Sequence, residues 1–469
     1  MQAKLQYLFL CAMAVIMLFA TCKSTIPEPN SIPDGATKLE ASPQREGGDA
    51  QKGYNYLVTG NYISSGIPLT VFKQVFTTSS TDDLKREGDN KGIPYNFNVV
   101  TNANGFKMVA TTCLTCHADR LNGQIMVGLG NTTGDNTNDA GQLVNLVDAA
   151  TQLRYPKGSP EWNAYEPFSR ATRTIAPYIR TETQGVSPAD KIFATLSAYR
   201  KKEDLTWLTT PQFDVPKRVV PTDVPAWWIV KKKNALYYNG IGRGDLSKHL
   251  MSASLLTVKD TNQAREIEKG FPDVWAYIRS VKPPKYPNAI DQTLAQKGKG
   301  IFEINCSKCH GKYDSDNDYP NYLIDLETIG TDKALADEYF NFPYYHTWYN
   351  ESWFAKTLNK SLLQPNRGYV SPPLDGIWAT APYLHNGSVP TLEDLLKSNQ
   401  RPKFFSRNFD NGYDFDAVKM GWKYNVETSK INTKTYDTSL YGYGNGGHTF
   451  GDKLSDDARK AVIEYLKTL

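Results

Sequence analysis

Cys113-Leu-Thr-Cys116-His117 and Cys306-Ser-Lys-Cys309-His310 are the stretches on which the reading of this 469-residue chain turns. Both are Cys-x-x-Cys-His. Two thiols three positions apart can form thioethers with the two vinyl groups of one haem, and the adjoining histidine then lies under the iron as its fifth ligand. Zinc also takes paired cysteines, but a four-cysteine zinc site does not need a histidine after each pair. A thioredoxin-like redox pair would not occur twice with that histidine. The spacing therefore predicts two covalently bound haem c groups, held by Cys113, Cys116 and Cys306, Cys309, with His117 and His310 as metal ligands.

The remaining two of the six cysteines, Cys11 and Cys22, lie in residues 1–22, which read as a signal peptide. Lys4 is a short basic n-region, and 7–20 is an unbroken apolar run of 14 residues. Spanning a bilayer takes about 20, so the run fits a secretory h-region instead. It closes on Leu18-Phe19-Ala20-Thr21-Cys22, similar to a bacterial lipoprotein box in which Cys22 becomes the lipidated N-terminus. A plain signal peptide cleaved nearby is the alternative. Residues 23–50, with Pro27, Pro29, Pro33 and Pro43, read as a disordered tether. The expectation is an exported protein, in the periplasm or at the outer membrane of a Gram-negative bacterium, touching membrane only through a lipid anchor. No cysteine is left over for a structural disulfide.

Composition narrows the class further. Apolar residues make 40% and charged residues 22%, which excludes a coiled coil, a collagen-like chain and bulk disorder. Net charge is 53 − 49 = +4, too little for a nucleic-acid surface. Aromatics reach 12%, with 28 Tyr and 9 Trp, which suits the lining of a planar cofactor pocket.

The expected fold is mainly α, two cytochrome c-like haem domains with long loop insertions. The Pro-rich linker Lys282-Pro-Pro-Lys-Tyr-Pro287 divides an N-terminal c-type haem domain, 51–286, from a C-terminal cytochrome c domain, 287–469. In the latter, 291–304 reads as a helix running into Cys306, with Gly298 and Gly300 allowing close packing. Residues 455–469 read as a closing helix, N-capped by Ser455, with Ala458, Val462, Tyr465, Leu466 and Leu469 on one face. In the N-terminal domain, Ser187-Pro188 starts a helix with Ile192, Phe193, Leu196 and Tyr199 on one side. A second helical stretch at 263–281 is divided by Pro272. The Gly/Asn/Asp-rich 128–141 reads as a surface loop, with a metal loop as the alternative.

A filled sixth position on haem iron gives electron transfer, and an open one gives chemistry on small ligands. Apart from His117 and His310, the histidines are His249, His346, His385 and His448, and the methionines include Met108, Met126, Met251 and Met420. His448 lies in Tyr443-Gly-Asn-Gly-Gly-His448, a flexible stretch before the closing helix. His385 in its turn-rich loop and Met420 are the alternative sixth ligands. Lys231-Lys232-Lys233 reads as a solvated face, or else as a docking or propionate contact. Arg243 and Asp245 read as an ion pair near the propionates.

Several longer stretches resemble the rubber-oxygenase-like dihaem cytochromes c, distant relatives of the bacterial dihaem cytochrome c peroxidases. They are Thr112-Cys-Leu-Thr-Cys-His117 with Asn122-Gly-Gln124, Val224-Pro-Ala-Trp-Trp228, Lys231-Lys-Lys-Asn234 and Gly242-Arg-Gly-Asp245. The most telling is Leu374-Asp-Gly-Ile-Trp-Ala-Thr-Ala-Pro-Tyr-Leu-His-Asn-Gly-Ser-Val-Pro390, and Gly447-His-Thr-Phe-Gly451 follows it. The resemblance implies a C-terminal haem held by His310 and His448 and an N-terminal haem on His117 with an open distal side. It also implies a tryptophan relay between them, for which Trp227 and Trp228 are the candidates. The function expected is a haem oxidoreductase of cytochrome c peroxidase type, reacting with peroxide or dioxygen and exchanging electrons with a small mono-haem cytochrome. The alternatives are a non-enzymatic periplasmic electron-transfer cytochrome and an oxygenase cleaving an unsaturated apolar substrate. The rubber-cleaving enzymes are longer, and no distal acid is identifiable here.

Overall fold

The computed structural model describes residues 32–102, 104–314, 318–410 and 412–469. The signal-like segment, Cys22 and the tether as far as residue 31 lie outside the described residues. Residues 35–469 form one compact unit.

Two helix crossings organise this unit. The helix Gln292–Asn305 starts on Asp291, whose carboxylate accepts from Leu294 N–H, and leads into Cys306. It crosses the closing helix Asp456–Leu466, N-capped by Ser455, at the point where Gly298 meets Ala461. A Cβ on Gly298 would stand 1.8 Å from the Ala461 carbonyl oxygen, so only glycine lets the backbones approach this closely. Gly300, expected to help, faces open space instead.

A matching crossing joins the helices Ala50–Thr59 and Phe271–Ser280. There a Cβ on Gly53 would stand 1.9 Å from the Asp273 carbonyl oxygen. The 263–281 stretch does divide before Pro272, into Thr261–Glu268 and Phe271–Ser280, because proline lacks the N–H that a continuous helix needs. The Ser187-Pro188 start yields the helix Ala189–Ala198. It buries Lys191 and Thr195 beside Leu196, while Ile192 and Phe193 are only half-buried.

The mainly α expectation needs correcting. The chain is 38% helical and 14% strand, a mixed fold. Among the described residues the strands form six small sheets of two or three strands each. The strand Phe97–Thr101 pairs antiparallel with Lys107–Thr111, and Ala118–Leu121 with Gln124–Val127; Phe404–Arg407 lies between Tyr424–Glu427 and Thr435–Asp437. Strands such as Phe97–Thr101, Phe404–Arg407 and Thr435–Asp437 carry Val, Thr, Tyr and Phe, which suit a pleated, half-buried surface.

The tether also ends earlier than expected. Ala36–Lys38 pairs with the strand Tyr322–Asp325, and the Arg45 guanidinium bonds both Asp245 and Glu268. The two largest apolar clusters interleave along the chain. One contains Leu57, Phe72, Leu114, Trp227 and Ile278 and also Tyr339, Trp348, Phe354 and Leu363; the other joins Trp228 and Ile229 to Phe302, Trp378 and Val462. No helix among the described residues is long and apolar enough to cross a membrane.

Candidate functional site

Each Cys-x-x-Cys-His sits on a single helical turn, Leu114–His117 and Ser307–His310. The His117 N–H donates to Cys113 O (3.0 Å) and the His310 N–H to Cys306 O (3.1 Å). One turn places positions i, i+3 and i+4 on the same side, so both thiols and the imidazole face one way. All four thiols are free and half-buried. Burial pushes the Cys113 and Cys116 thiols up to about 11, the Cys306 thiol up to about 12, and raises that of Cys309.

The ring facing His310 is that of His448. The centroids are 6.2 Å apart, with the planes inclined by 60°. A metal held about 2 Å from one nitrogen of each ring, on opposite sides, separates the centroids by roughly 6 Å. This pair therefore fits a shared axial metal. His310 Nδ1 donates to Pro372 O (2.8 Å), which leaves Nε2 as the lone-pair nitrogen. Burial lowers the His310 value, and burial, His310 and Arg401 together lower His448 to about 3. Both rings are thus neutral, the form that binds metal.

The alternative sixth ligands lie elsewhere. His385 is stacked on Tyr369 at 4.0 Å, and Met420 is fully buried in the second apolar cluster. His249 has both nitrogens engaged, Nε2 with Arg243 O (2.8 Å) and Nδ1 with the Tyr349 hydroxyl (3.2 Å). Met108 and Met251 are core residues.

The His117 side differs in its support. His117 Nδ1 is buried with no hydrogen-bond partner, and burial lowers the ring to about 4. Trp227 stacks on it instead, with centroids 4.9 Å apart and planes inclined by 27°. The hairpin after the motif sets this contact: Gly128 N–H donates to His117 O, and Trp227 N–H donates to Gly128 O.

The next residue, Trp228, turns into the other apolar cluster, where its Nε1–H donates to Asp375 O (2.8 Å). The Asp375 carboxylate binds Lys232 Nζ at 2.5 and 2.6 Å. Lys232 Nζ also lies 4.9 Å over the Tyr313 ring, and the Tyr313 hydroxyl donates to His310 O (3.1 Å). The dipeptide Trp227-Trp228 thus connects the two Cys-x-x-Cys-His turns.

Two readings of charged residues are corrected here. Only Lys231 of the lysine triplet is solvated; Lys232 is paired with Asp375, and Lys233 is buried, which lowers it to about 8. Arg243 and Asp245 do not pair with each other. Arg243 donates to Glu40 O, while Asp245 binds Arg45 and caps the helix Leu246–Leu250. Both partners come from residues 36–50, ordered by strand pairing that the Pro-rich composition conceals. The 128–141 stretch is a loop as far as Asp139, where the helix Ala140–Arg154 begins, and it is braced by Asn131 and Asp119. Asn131 Oδ1 accepts from Thr133 and Gly134 N–H, and Asp119 accepts from Thr132 and Thr133.

One half-buried acid beside this region carried no motif. Asp223 accepts from the Tyr238 hydroxyl, and its backbone N–H donates to His385 O. Burial pushes its carboxyl up to about 7, against the opposing effects of Tyr238, Val224 N–H and the Arg407 charge. A carboxyl that keeps its proton longer when folded stabilises below its ordinary range, and that stability is lost as pH rises through about 4 to 7. Asp223→Asn is therefore expected to flatten the fall in Tm across that window, because each tenfold difference in proton affinity between the folded and unfolded chain is worth roughly 1.4 kcal/mol. Melting curves from pH 4 to 7 check this; parallel curves for the two proteins would rule it out.

Residues 368–406 match the family model described as RoxA-like, cytochrome c-like. The chain is also similar to two uncharacterized proteins of Sinorhizobium fredii (strain NBRC 101917 / NGR234). It is 27% identical to y4iM over 297 residues, 54% of this chain and 66% of that protein. It is 30% identical to y4iJ over 259 residues, 40% of this chain and 41% of that protein. The chain spans less than two thirds of either relative. The cytochrome c-like segment marks a c-type cytochrome and implies covalently bound haem c.

Proposed function

We propose that this protein is an exported dihaem c-type cytochrome acting as an oxidoreductase. Cys306, Cys309, His310 and His448 form an electron-transfer site, and Cys113, Cys116 and His117 form a site open to peroxide or dioxygen. The observation that carries the reading is the His310–His448 pair, whose rings stand 6.2 Å apart on residues far separated in sequence. Haem at such sites supplies a redox iron, and where the sixth position is free it binds small oxidants.

The chain's own residues favour different work at the two turns. At the second, Pro372 O accepts from His310 Nδ1, which fixes the ring and raises its basicity, and His448 covers the opposite side. At the first, His117 Nδ1 has no such acceptor, and the flat face of Trp227 packs on the ring. Trp227 and Trp228 relay electrons between the turns, from the His117 stack to the Asp375 carbonyl, next to Leu374, whose N–H donates to the Tyr313 hydroxyl. The two glycine-centred helix crossings support a cytochrome c plan laid down twice. The electron donor is a small redox protein such as a mono-haem cytochrome, and the protein is held to the membrane by lipid on Cys22.

Trp227→Phe is expected to slow electron equilibration between the two sites without changing either absorption spectrum. Stopped-flow reduction of the half-reduced protein reads this, and an unchanged rate removes Trp227 from the relay. The match of 368–406 to a RoxA-like model favours a second reading, dioxygen chemistry on an unsaturated apolar substrate. The deciding experiment is the spectrum of the purified holoprotein, oxidised, reduced and reduced with carbon monoxide, with a pyridine haemochrome count. Two haems per chain, of which one binds carbon monoxide, is the expected result. Fewer than two undoes the dihaem reading, and two that both ignore carbon monoxide make the protein an electron carrier.

A further inference from the structure

Residues 368–406, the segment that matches the cytochrome c-like family model, contain no cysteine and neither histidine of the facing pair. Their side chains nonetheless converge on the loop that carries His448. Arg401 places all five of its N–H groups on carbonyl oxygens. Nη1 donates to Asn445 O (2.7 Å) and Gly447 O (2.6 Å), and Nη2 to Leu395 O (2.8 Å) and His448 O (3.0 Å). Nε donates to Asp394 O (3.1 Å). At the other end of the loop, Asn386 Nδ2 donates to Gly442 O and Gly444 O, each at 2.9 Å, and Ser388 Oγ donates to Gly444 O (3.0 Å).

The loop needs such hold. Residues 442–447 include four glycines, which lose more freedom on ordering than any other residue. His448 itself sits at φ 45°, a left-handed conformation that a side-chain-bearing residue keeps only when its surroundings enforce it. Its ring gains nothing comparable to His310's bond to Pro372. His448 Nδ1 is buried without a partner, and its other ring neighbour is the edge of Phe450 at 5.3 Å. The orientation of the imidazole is therefore imposed through its backbone.

We propose that Arg401, Asn386 and Ser388 are positioning residues that clamp the 442–448 loop and so keep the His448 ring opposite His310, excluding outside ligands from that site. This rests on His310 and His448 being the axial pair. The fork geometry of arginine matters as well as its charge, because a lysine ammonium cannot serve five carbonyls in one plane.

The test uses the holoprotein and two readouts: carbon monoxide affinity of the reduced second site, and hydrogen exchange of the 442–450 amides. Arg401→Gln and Asn386→Ala are expected to speed exchange and to raise carbon monoxide affinity at that site at least about tenfold, the factor given by about 1.4 kcal/mol of lost hold. Arg401→Lys is expected to behave like Arg401→Gln. Ser388→Ala removes one bond and gives a smaller effect in the same direction, which decides the matter if the larger changes prevent folding. Faster exchange with wild-type carbon monoxide affinity and wild-type low-spin resonances overturns the clamp, leaving those residues merely structural; rescue by lysine overturns the fork argument. His448→Ala is the reference. If it leaves the low-spin site intact, the axial-pair reading fails, and the clamp falls with it for that separate reason.

Discussion

Gly298→Ala is expected to lower the melting temperature by several degrees, while Gly300→Ala, two residues along the same helix, raises it slightly. The added methyl at 298 would lie 1.8 Å from Ala461 O and 2.4 Å from Ala461 C, both backbone atoms of the closing helix, so no side chain can rotate away. The helices must separate, and overpacking of this kind costs about 1–3 kcal/mol. Nothing lies within 4 Å of the corresponding position at 300. There alanine only restricts the unfolded chain and removes a helix-interior glycine, a gain of about 0.5–1 kcal/mol. Thermal melts of the two variants beside the wild type make the comparison. Equal tolerance at both positions would contradict the close crossing on which the fold is organised.

His448→Ala is expected to convert one low-spin site per chain into one that binds carbon monoxide when reduced and is high-spin when oxidised. The change is expected to be complete, because the alternative ligands are engaged elsewhere. His385 is held flat against Tyr369, Met420 is buried in the second apolar cluster, and His249 uses both nitrogens in hydrogen bonds. Added imidazole is expected to restore the low-spin spectrum by filling the space left by the ring. His385→Ala and Met420→Leu are the controls, and neither is expected to open the site. Carbon monoxide binding gained in either control, and not in His448→Ala, would falsify the pairing of His448 with His310.

Local structure was read from sequence where hydrogen bonds between near neighbours decide it. Ser455 caps its helix as its side chain dictates, the stretch after Asp291 runs as a helix into Cys306, and Pro272 divides the helical stretch that contains it. The reading failed where a strand or an ion pair has a distant partner. Residues 36–50 look like linker until Ala36–Lys38 meets Tyr322–Asp325 and Arg45 meets Asp245 and Glu268. The helix Ala50–Thr59 had a legible signal, Asp49 ahead of a period that places Gly53, Leu57 and Val58 inside, but nothing local says which helix it crosses. Lys233 belongs to a run of three lysines that reads as solvated, yet packing around Tyr237 encloses it.

By itself the sequence determined that this chain carries two Cys-x-x-Cys-His turns, because thiol, thiol and imidazole at i, i+3 and i+4 are brought to one side by a single turn of helix. Spacing did not say which residue faces each imidazole; only the resemblance implied His448 opposite His310, and the tertiary structure decided it. His385 and Met420 were the alternatives, and the packing of a glycine-rich loop between Arg401, Asn386 and the Ile329 carbonyl brings His448 to His310. The same packing presses Trp227 onto His117 and turns Trp228 towards Asp375. The physical reason is one of range: a helical turn closes within five residues, whereas a clamp or an aromatic stack depends on where distant segments come to rest.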